Sequence, residues 1–200
     1  MEINKEDLKL PDISTGKLAF VLHNVFTEEE CNKYIIDSEK RGYELATCNV
    51  GSGRQIYASH VRNSSRNSWV SKEEAGRILG RIKKFLPAEW KGRKLVEIDE
   101  RLIFLRYDPG EYFKPHFDGS SMKDNRTKSY LSIQIYLNQG FEGGSTTFLD
   151  SYSGKKDGRV EIVPKTGSVL IFQHDILHEG SELIKGRKYA IRTDVMYEAL

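Results

Sequence analysis

The sequence predicts a mainly β fold, an antiparallel sandwich or jelly roll with two helices laid on the outer face of one sheet. Two observations carry this. From Leu95 onward, apolar runs at 102–105, 130–137, 145–149, 159–163, 168–173 and 188–197 are separated by Gly or Pro, among them Gly140, Gly143-Gly144, Gly154, Gly158, Pro164, Gly167, Gly180 and Gly186. Before Leu95, two segments show helical periodicity behind capping signals. Many short, punctuated strands close most readily into a two-sheet antiparallel fold.

Taken in order, residues 1–16 are polar, hold Pro11 and Gly16, and are expected to form a flexible N-terminal arm. Residues 17–94 read as an α/β elaboration that supports a core at 95–200, the whole being one compact domain. Leu18–Val25 is a short apolar strand. Thr27-Glu28-Glu29-Glu30 forms a capping box, with Cys31, Tyr34, Ile35 and Ser38 at helical spacing and a stop at Gly42. Residues 43–61, punctuated by Gly51 and Gly53, suggest short strands around a mobile loop. The stretch VRNSSRNSWV (61–70) reads as a polar turn leading into the next helix. Ser71-Lys72-Glu73-Glu74 offers a second capping box. The helix buries Ala75, Ile78, Leu79, Ile82 and Leu86, and stops at Pro87.

Composition excludes several classes. A chain of 200 residues with 38% hydrophobic content fits one domain with a full core. Its 31 basic and 29 acidic residues leave a net charge of +2, so no global field marks a nucleic-acid partner. Two cysteines, Cys31 and Cys48, argue against a disulfide scaffold and for a reducing compartment. No signal-peptide h-region follows Met1, and no apolar run reaches the roughly 18–20 residues that cross a bilayer. The protein is expected to be soluble and intracellular, cytoplasmic or nuclear, with no membrane partner.

The chemistry centres on RLIFLRYDPGEYFKPHFD (101–118), a strand, a turn at Asp108-Pro109-Gly110, and a second strand ending in His116-Phe117-Asp118. Side chains two apart on a strand share a face, so His116 and Asp118 point the same way. An imidazole and a carboxylate so arranged are two-thirds of a facial metal site, the kind that leaves three positions open for iron(II) oxygenase chemistry. The third ligand must come from a distant strand. His178 is the candidate, just past the apolar strand Val169–Phe172, and His174 in HDILH competes with it. Lys188, Ala190 and Arg192 share one face of the last strand. A cation inside a barrel is costly unless an anion meets it, and a dicarboxylate chelating the metal would supply that anion to Lys188. Tyr136 and Tyr107, each ending a strand, could donate hydroxyls to the same carboxylate.

With these residues in view, the chain resembles an iron(II)/2-oxoglutarate-dependent dioxygenase of the prolyl 4-hydroxylase-like branch. The matching segments are RYDPGEYFKPHFD (106–118), YLN (136–138), GGSTTF (143–148), PKTGSVLIF (164–172), HEG (178–180) and GRKYAIRTDVMY (186–197). VRNSSRNSW (61–69) is similar to the family segment associated with its substrate-binding loop. The resemblance implies a double-stranded β-helix of jelly-roll type and iron ligation by His116, Asp118 and His178. It makes His174 a structural neighbour, Lys188 the partner of the distal carboxylate, and Tyr107 and Tyr136 lining residues of the cosubstrate pocket. One departure is Tyr189, where prolyl hydroxylases often carry Trp. Arg192 adds a second cation whose role the resemblance leaves open, cosubstrate or substrate. A carboxylate at 118 argues for hydroxylation, because related halogenases carry a small residue there.

The implied function is hydroxylation of an unactivated C–H bond, with a prolyl residue of a protein or peptide as first candidate and release of succinate and carbon dioxide. Fe(II), 2-oxoglutarate, dioxygen and ascorbate are the expected cofactors and cosubstrates. The alternative is the same chemistry on a free amino acid, small metabolite or nucleobase. A non-catalytic jelly-roll binding module is opposed by the complete triad beside a buried cation.

Overall fold

The computed structural model describes residues 2–49, 54–152 and 158–200; Gly51, Gly53 and Gly154 of the sequence reading lie outside the described residues. The principal elements are β1 (Asn4–Asp7), β2 (Ala19–His23), α1 (Glu28–Arg41), β3 (Ser65–Val70), α2 (Lys72–Ile82), β4 (Arg93–Ile98), β5 (Arg101–Tyr107) and β6 (Phe113–His116). They continue as β7 (Thr127–Tyr136), β8 (Thr146–Phe148), β9 (Val160–Ile162), β10 (Val169–Gln173), β11 (His178–Gly180) and β12 (Lys188–Ala199).

Two antiparallel sheets face each other, as the strand pattern requires. The larger runs β1-β2-β10-β7-β12-β5-β3, with β4 also pairing with β12. The smaller runs β6-β11-β8-β9. Period-two alternation assigns the faces. On the outer face of the large sheet, Phe20, Leu22, Leu102, Phe104, Ile133, Ile135, Val169, Ile171, Ile191 and Val195 pack with Cys31 and Tyr34 of α1 and Ala75, Ile78 and Ile82 of α2. Each fully buried aliphatic or aromatic side chain there contributes about 1.5–3 kcal/mol. The inner face carries Ser132, Gln134, Lys188, Ala190, Arg192 and Asp194 at the alternate positions, turned toward the small sheet.

The ends of α1 follow their sequence signals, whereas α2 closes at Ile82 and continues only as a 3-10 turn over Lys83–Phe85 before Pro87. Thr27 Oγ1 accepts from Glu30 N and Glu30 Oε2 accepts from Thr27 N, a complete capping box, and Gly42 ends α1 at φ 80°. Ser71 accepts from Glu74 N, but the Glu74 carboxylate does not reach back. It is taken by the Tyr34 hydroxyl of α1 and by Arg77.

Two other segments differ from what the sequence predicts. The N-terminal arm carries β1, paired with β2 at the sheet edge; its side chains are all exposed, so no apolar alternation announced it. The second half of VRNSSRNSWV is a strand rather than a turn. Ser65–Val70 pairs with Arg101–Arg106 of β5, and the polar Asn67 donates to Ser38 O at the end of α1 at 3.0 Å. Cys31 and Cys48 are both free. Among the described residues, no helix is long and apolar enough to cross a membrane.

Candidate active site

β6 and β11 are antiparallel neighbours, and His116 and His178 are directly opposite in their register. Opposed residues of such a pair project their side chains to one face, here with ring centroids 4.3 Å apart. β6 ends at His116, two residues before the expected end, so pleating alone does not bring Asp118 alongside. Its backbone N–H donates to His174 O at 3.1 Å, which folds residue 118 back toward the ring. The Asp118 carboxylate then lies 3.8 Å from His116 Nε2 through one oxygen and 3.8 Å from His178 Nε2 through the other. Ligand atoms of all three residues lie within 4.8 Å of one another, the single such His/Asp cluster among the described residues.

Hydrogen bonding sets the form of each group. His116 Nδ1 is 2.7 Å from Lys114 O and His178 Nδ1 is 3.0 Å from Ile176 O. A carbonyl only accepts, so each Nδ1 carries the proton and each Nε2 presents a lone pair to the shared point. Burial holds His116 down to about 3 and depresses His178 as well, so both rings are neutral donors at physiological pH. Burial works to raise Asp118, but Arg192 and the two histidines outweigh it and hold the carboxyl below its ordinary value. Ser132 Oγ donates to Asp118 Oδ2 at 2.5 Å. Two neutral imidazoles and one ionised carboxylate suit a divalent first-row metal. Phe113 stacks on His116 at 3.5 Å and Phe172 meets His178 edge-on at 4.7 Å, so apolar rings flank the donors.

A cleft of about 630 Å³ runs from these residues to Lys188. Lys188 is 1% exposed, and its Nζ donates to Gly144 O at 2.6 Å. The rings of Tyr107 and Tyr136 lie 5.1 and 5.8 Å from that nitrogen. Desolvation alone brings the ammonium down to about 7. Among the described residues no carboxylate pairs with it, so an incoming anion would find an uncompensated charge at the end of the cleft. The tyrosines differ in orientation. Tyr107 lines the cleft. Tyr136 is fully buried, and its hydroxyl donates to Thr146 Oγ1 at 2.8 Å rather than toward Lys188. Arg192 is taken up by Asp118 Oδ1 at 3.5 Å and Asp194 Oδ1 at 3.1 Å. His174 stays outside the triad, its Nε2 3.4 Å from Asp194 Oδ1.

The structure adds residues the sequence reading passed over. Ser132, Thr146 and Gln134 sit on the inner face, and the polar–apolar alternation Ser132-Ile133-Gln134-Ile135 was the signal that could have found two of them. Arg62, within the stretch read as a turn, lines the cleft and lies 4.6 Å above the Phe113 ring.

Comparison with known proteins agrees with this geometry. Residues 102–193 match the family described as the 2OG-Fe(II) oxygenase superfamily. In Arabidopsis thaliana, the protein named Probable prolyl 4-hydroxylase 10 is 29% identical over 89% of this chain and 68% of its own length. Prolyl 4-hydroxylase 2 of the same plant is 27% identical over 91% and 68%. The viral collagen prolyl hydroxylase of Paramecium Bursaria Chlorella virus-1, solved as its 2OG complex, superposes with a TM-score of 0.63 at 21% identity, covering 94% of this chain and 99% of that one. A Pseudomonas putida prolyl-4-hydroxylase gives a TM-score of 0.63 at 15% identity, over 94% and 96%. The fold is thus the double-stranded β-helix of these oxygenases. Over residues 102–193 the chain is similar to the 2OG-Fe(II) oxygenase superfamily, whose chemistry uses Fe(II), 2-oxoglutarate and dioxygen. The two plant relatives are named as prolyl 4-hydroxylases, so among these oxygenases the chain is most readily compared with the prolyl 4-hydroxylase-like branch.

Proposed function

We propose that this protein hydroxylates a prolyl residue of a protein or peptide, with His116, Asp118 and His178 holding Fe(II) and Lys188 receiving the distal carboxylate of 2-oxoglutarate. The observation that carries the proposal is one cleft with two neutral, pre-oriented imidazoles and an ionised carboxylate at one end and, at the other, a desolvated lysine that no described carboxylate pairs. Residues 95–200 act as the catalytic core, and residues 17–94 buttress it.

When bound, iron and cosubstrate supply the oxidation, in which 2-oxoglutarate and dioxygen become succinate and carbon dioxide while one oxygen atom enters a substrate C–H bond. The chain's own residues orient and shield. Lys114 O and Ile176 O fix the imidazole tautomers, so no proton has to leave Nε2 before it binds a metal. Ser132 and Arg192 occupy part of the Asp118 carboxylate and so restrict how it turns. Gly144 O and the Tyr107 ring hold the Lys188 ammonium in place before any ligand arrives. Phe113 and Phe172 keep water from the two histidines.

The test is succinate release from 2-oxoglutarate by the purified protein with Fe(II), ascorbate and proline-containing peptides, with mass spectrometry of the peptide. The expected result is succinate formation together with a peptide mass gain of one oxygen atom. Succinate without peptide modification would keep the oxygenase assignment and remove the peptidyl-proline substrate. The proposal sets this activity in a soluble intracellular protein and includes ascorbate as reductant.

A further inference from the structure

Arg62 is 9% exposed and sits at the rim of the cleft, where it forms an isolated antiparallel bridge with Phe113. Lys114 N donates to Val61 O at 2.9 Å, and Tyr112 N donates to Asn63 Oδ1 at 2.7 Å, so the segment is stitched to β6 on both sides of the arginine. Its guanidinium lies over the same Phe113 ring that stacks on His116, one aromatic ring away from the donor set. Its Nε donates to Ser64 Oγ at 3.0 Å.

Charge counting singles this residue out. Five cations line the cleft, Arg62, Arg66, Arg101, Lys188 and Arg192, against two carboxylates, Asp118 and Glu179. Glu179 is paired with Arg159 at 2.5 Å, and Arg192 with Asp118 and Asp194. Arg66 holds Gln55 and lies 3.6 Å from Glu44, while Arg101 is exposed to solvent. With 2-oxoglutarate assigned to Lys188, Arg62 is the buried cation left without an anion. No ion pair joins it to any described residue, and burial lowers its pKa as it does that of Lys188. A buried charge left unpaired is costly, and stacking on Phe113 leaves the guanidinium edge, with its two-pronged donors, free to grip a planar carboxylate.

We infer that the substrate brings a carboxylate to Arg62, close beside the carbon that is hydroxylated. This rests on the oxygenase site proposed above, with 2-oxoglutarate at Lys188, and names the charged group its substrate carries. The carboxylate is either an acidic side chain adjacent to the prolyl residue in a peptide or the free α-carboxylate of an amino acid. Both present the same planar, singly charged group.

The experiment titrates the full chain, loaded with Mn(II) and 2-oxoglutarate, with three probes. They are acetyl-Gly-Asp-Pro-Asp-Gly-amide, the same peptide with Asn for both Asp residues, and free L-proline. The acidic peptide or proline is expected to bind about tenfold or more tightly than the Asn peptide, and whichever does so identifies the source of the carboxylate. Arg62→Gln should erase that preference, while Arg62→Lys should keep part of it. Equal affinities, no binding of any probe, or an unchanged preference in Arg62→Gln overturns the inference. If thermal melting shows Arg62→Gln unfolded, the wild-type preference and the Arg62→Lys variant decide. Wild-type affinity for 2-oxoglutarate is measured alongside. Its absence would sink the proposed function itself, whereas its presence without acidic preference sinks only the assignment of Arg62.

Discussion

His116 and His178 are register partners across β6 and β11, with ring centroids 4.3 Å apart and each Nδ1–H committed to a backbone carbonyl. The relationship is built by backbone pairing, so the donor geometry exists before any metal binds. Pre-formed geometry of this kind gives single substitutions large, separable effects.

Lys188→Ala removes the ammonium and leaves the donor triad intact. A charge-assisted pairing with a carboxylate is worth about 1.5–3 kcal/mol, so the Michaelis constant for 2-oxoglutarate should rise about tenfold to a hundredfold. Iron content by metal analysis should not change. An unmoved Michaelis constant would place the anchor elsewhere.

The same lysine sets a pH dependence. Burial brings it down to about 7 from the ordinary 10.5, so between those values the folded chain binds fewer protons than the unfolded one. Stability of the ligand-free protein should therefore rise as pH increases through that window. Binding of a dianion has the opposite sign, because only charged Lys188 attracts it. The 2-oxoglutarate dissociation constant should be flat below pH of about 7 and rise about tenfold per unit above it. Calorimetric titration across the range checks this; a flat profile would show that Lys188 keeps its proton throughout.

Gly167 lets the loop before β10 lie against the end of β2. It sits at φ 78°, and its carbonyl accepts from Val25 N and Phe26 N, both at 3.1 Å. A Cβ added there would lie 2.0 Å from Phe26 O. Gly167→Ala should cost about 2 kcal/mol or more, a fall in Tm of about 4–8 °C in a chain of this size. Thermal unfolding followed by circular dichroism reads it, and an unchanged Tm would mean the backbone yields at no cost.

How much of this was legible in the residues depends on whether the signal was local. The two faces of β7 and β12 follow from alternation alone, and alternation puts Lys188, Ala190 and Arg192 on one face. Thr27 and Gly42 announced the ends of α1 because caps are short-range chemistry. Asp118 was placed beside His116 for the wrong reason, since the strand ends early and a hydrogen bond to His174 O does the work. Glu74 abandoned its capping role for Tyr34 and Arg77, partners invisible without the packing of α1 on α2. Ser65–Val70 is a polar strand whose hydrogen-bonding needs are met by tertiary neighbours, so composition disguised it as a turn. The orientation of Tyr136 toward Thr146 and the isolation of Arg62 are likewise properties of the assembled sheets.

Anaerobic titration with Fe(II) followed by metal analysis probes the donor cluster itself. Wild-type chains should each hold one iron tightly and His178→Ala none, with the variant still folded by circular dichroism. Equal iron in wild type and variant, or none in either, would contradict the donor cluster as the iron site.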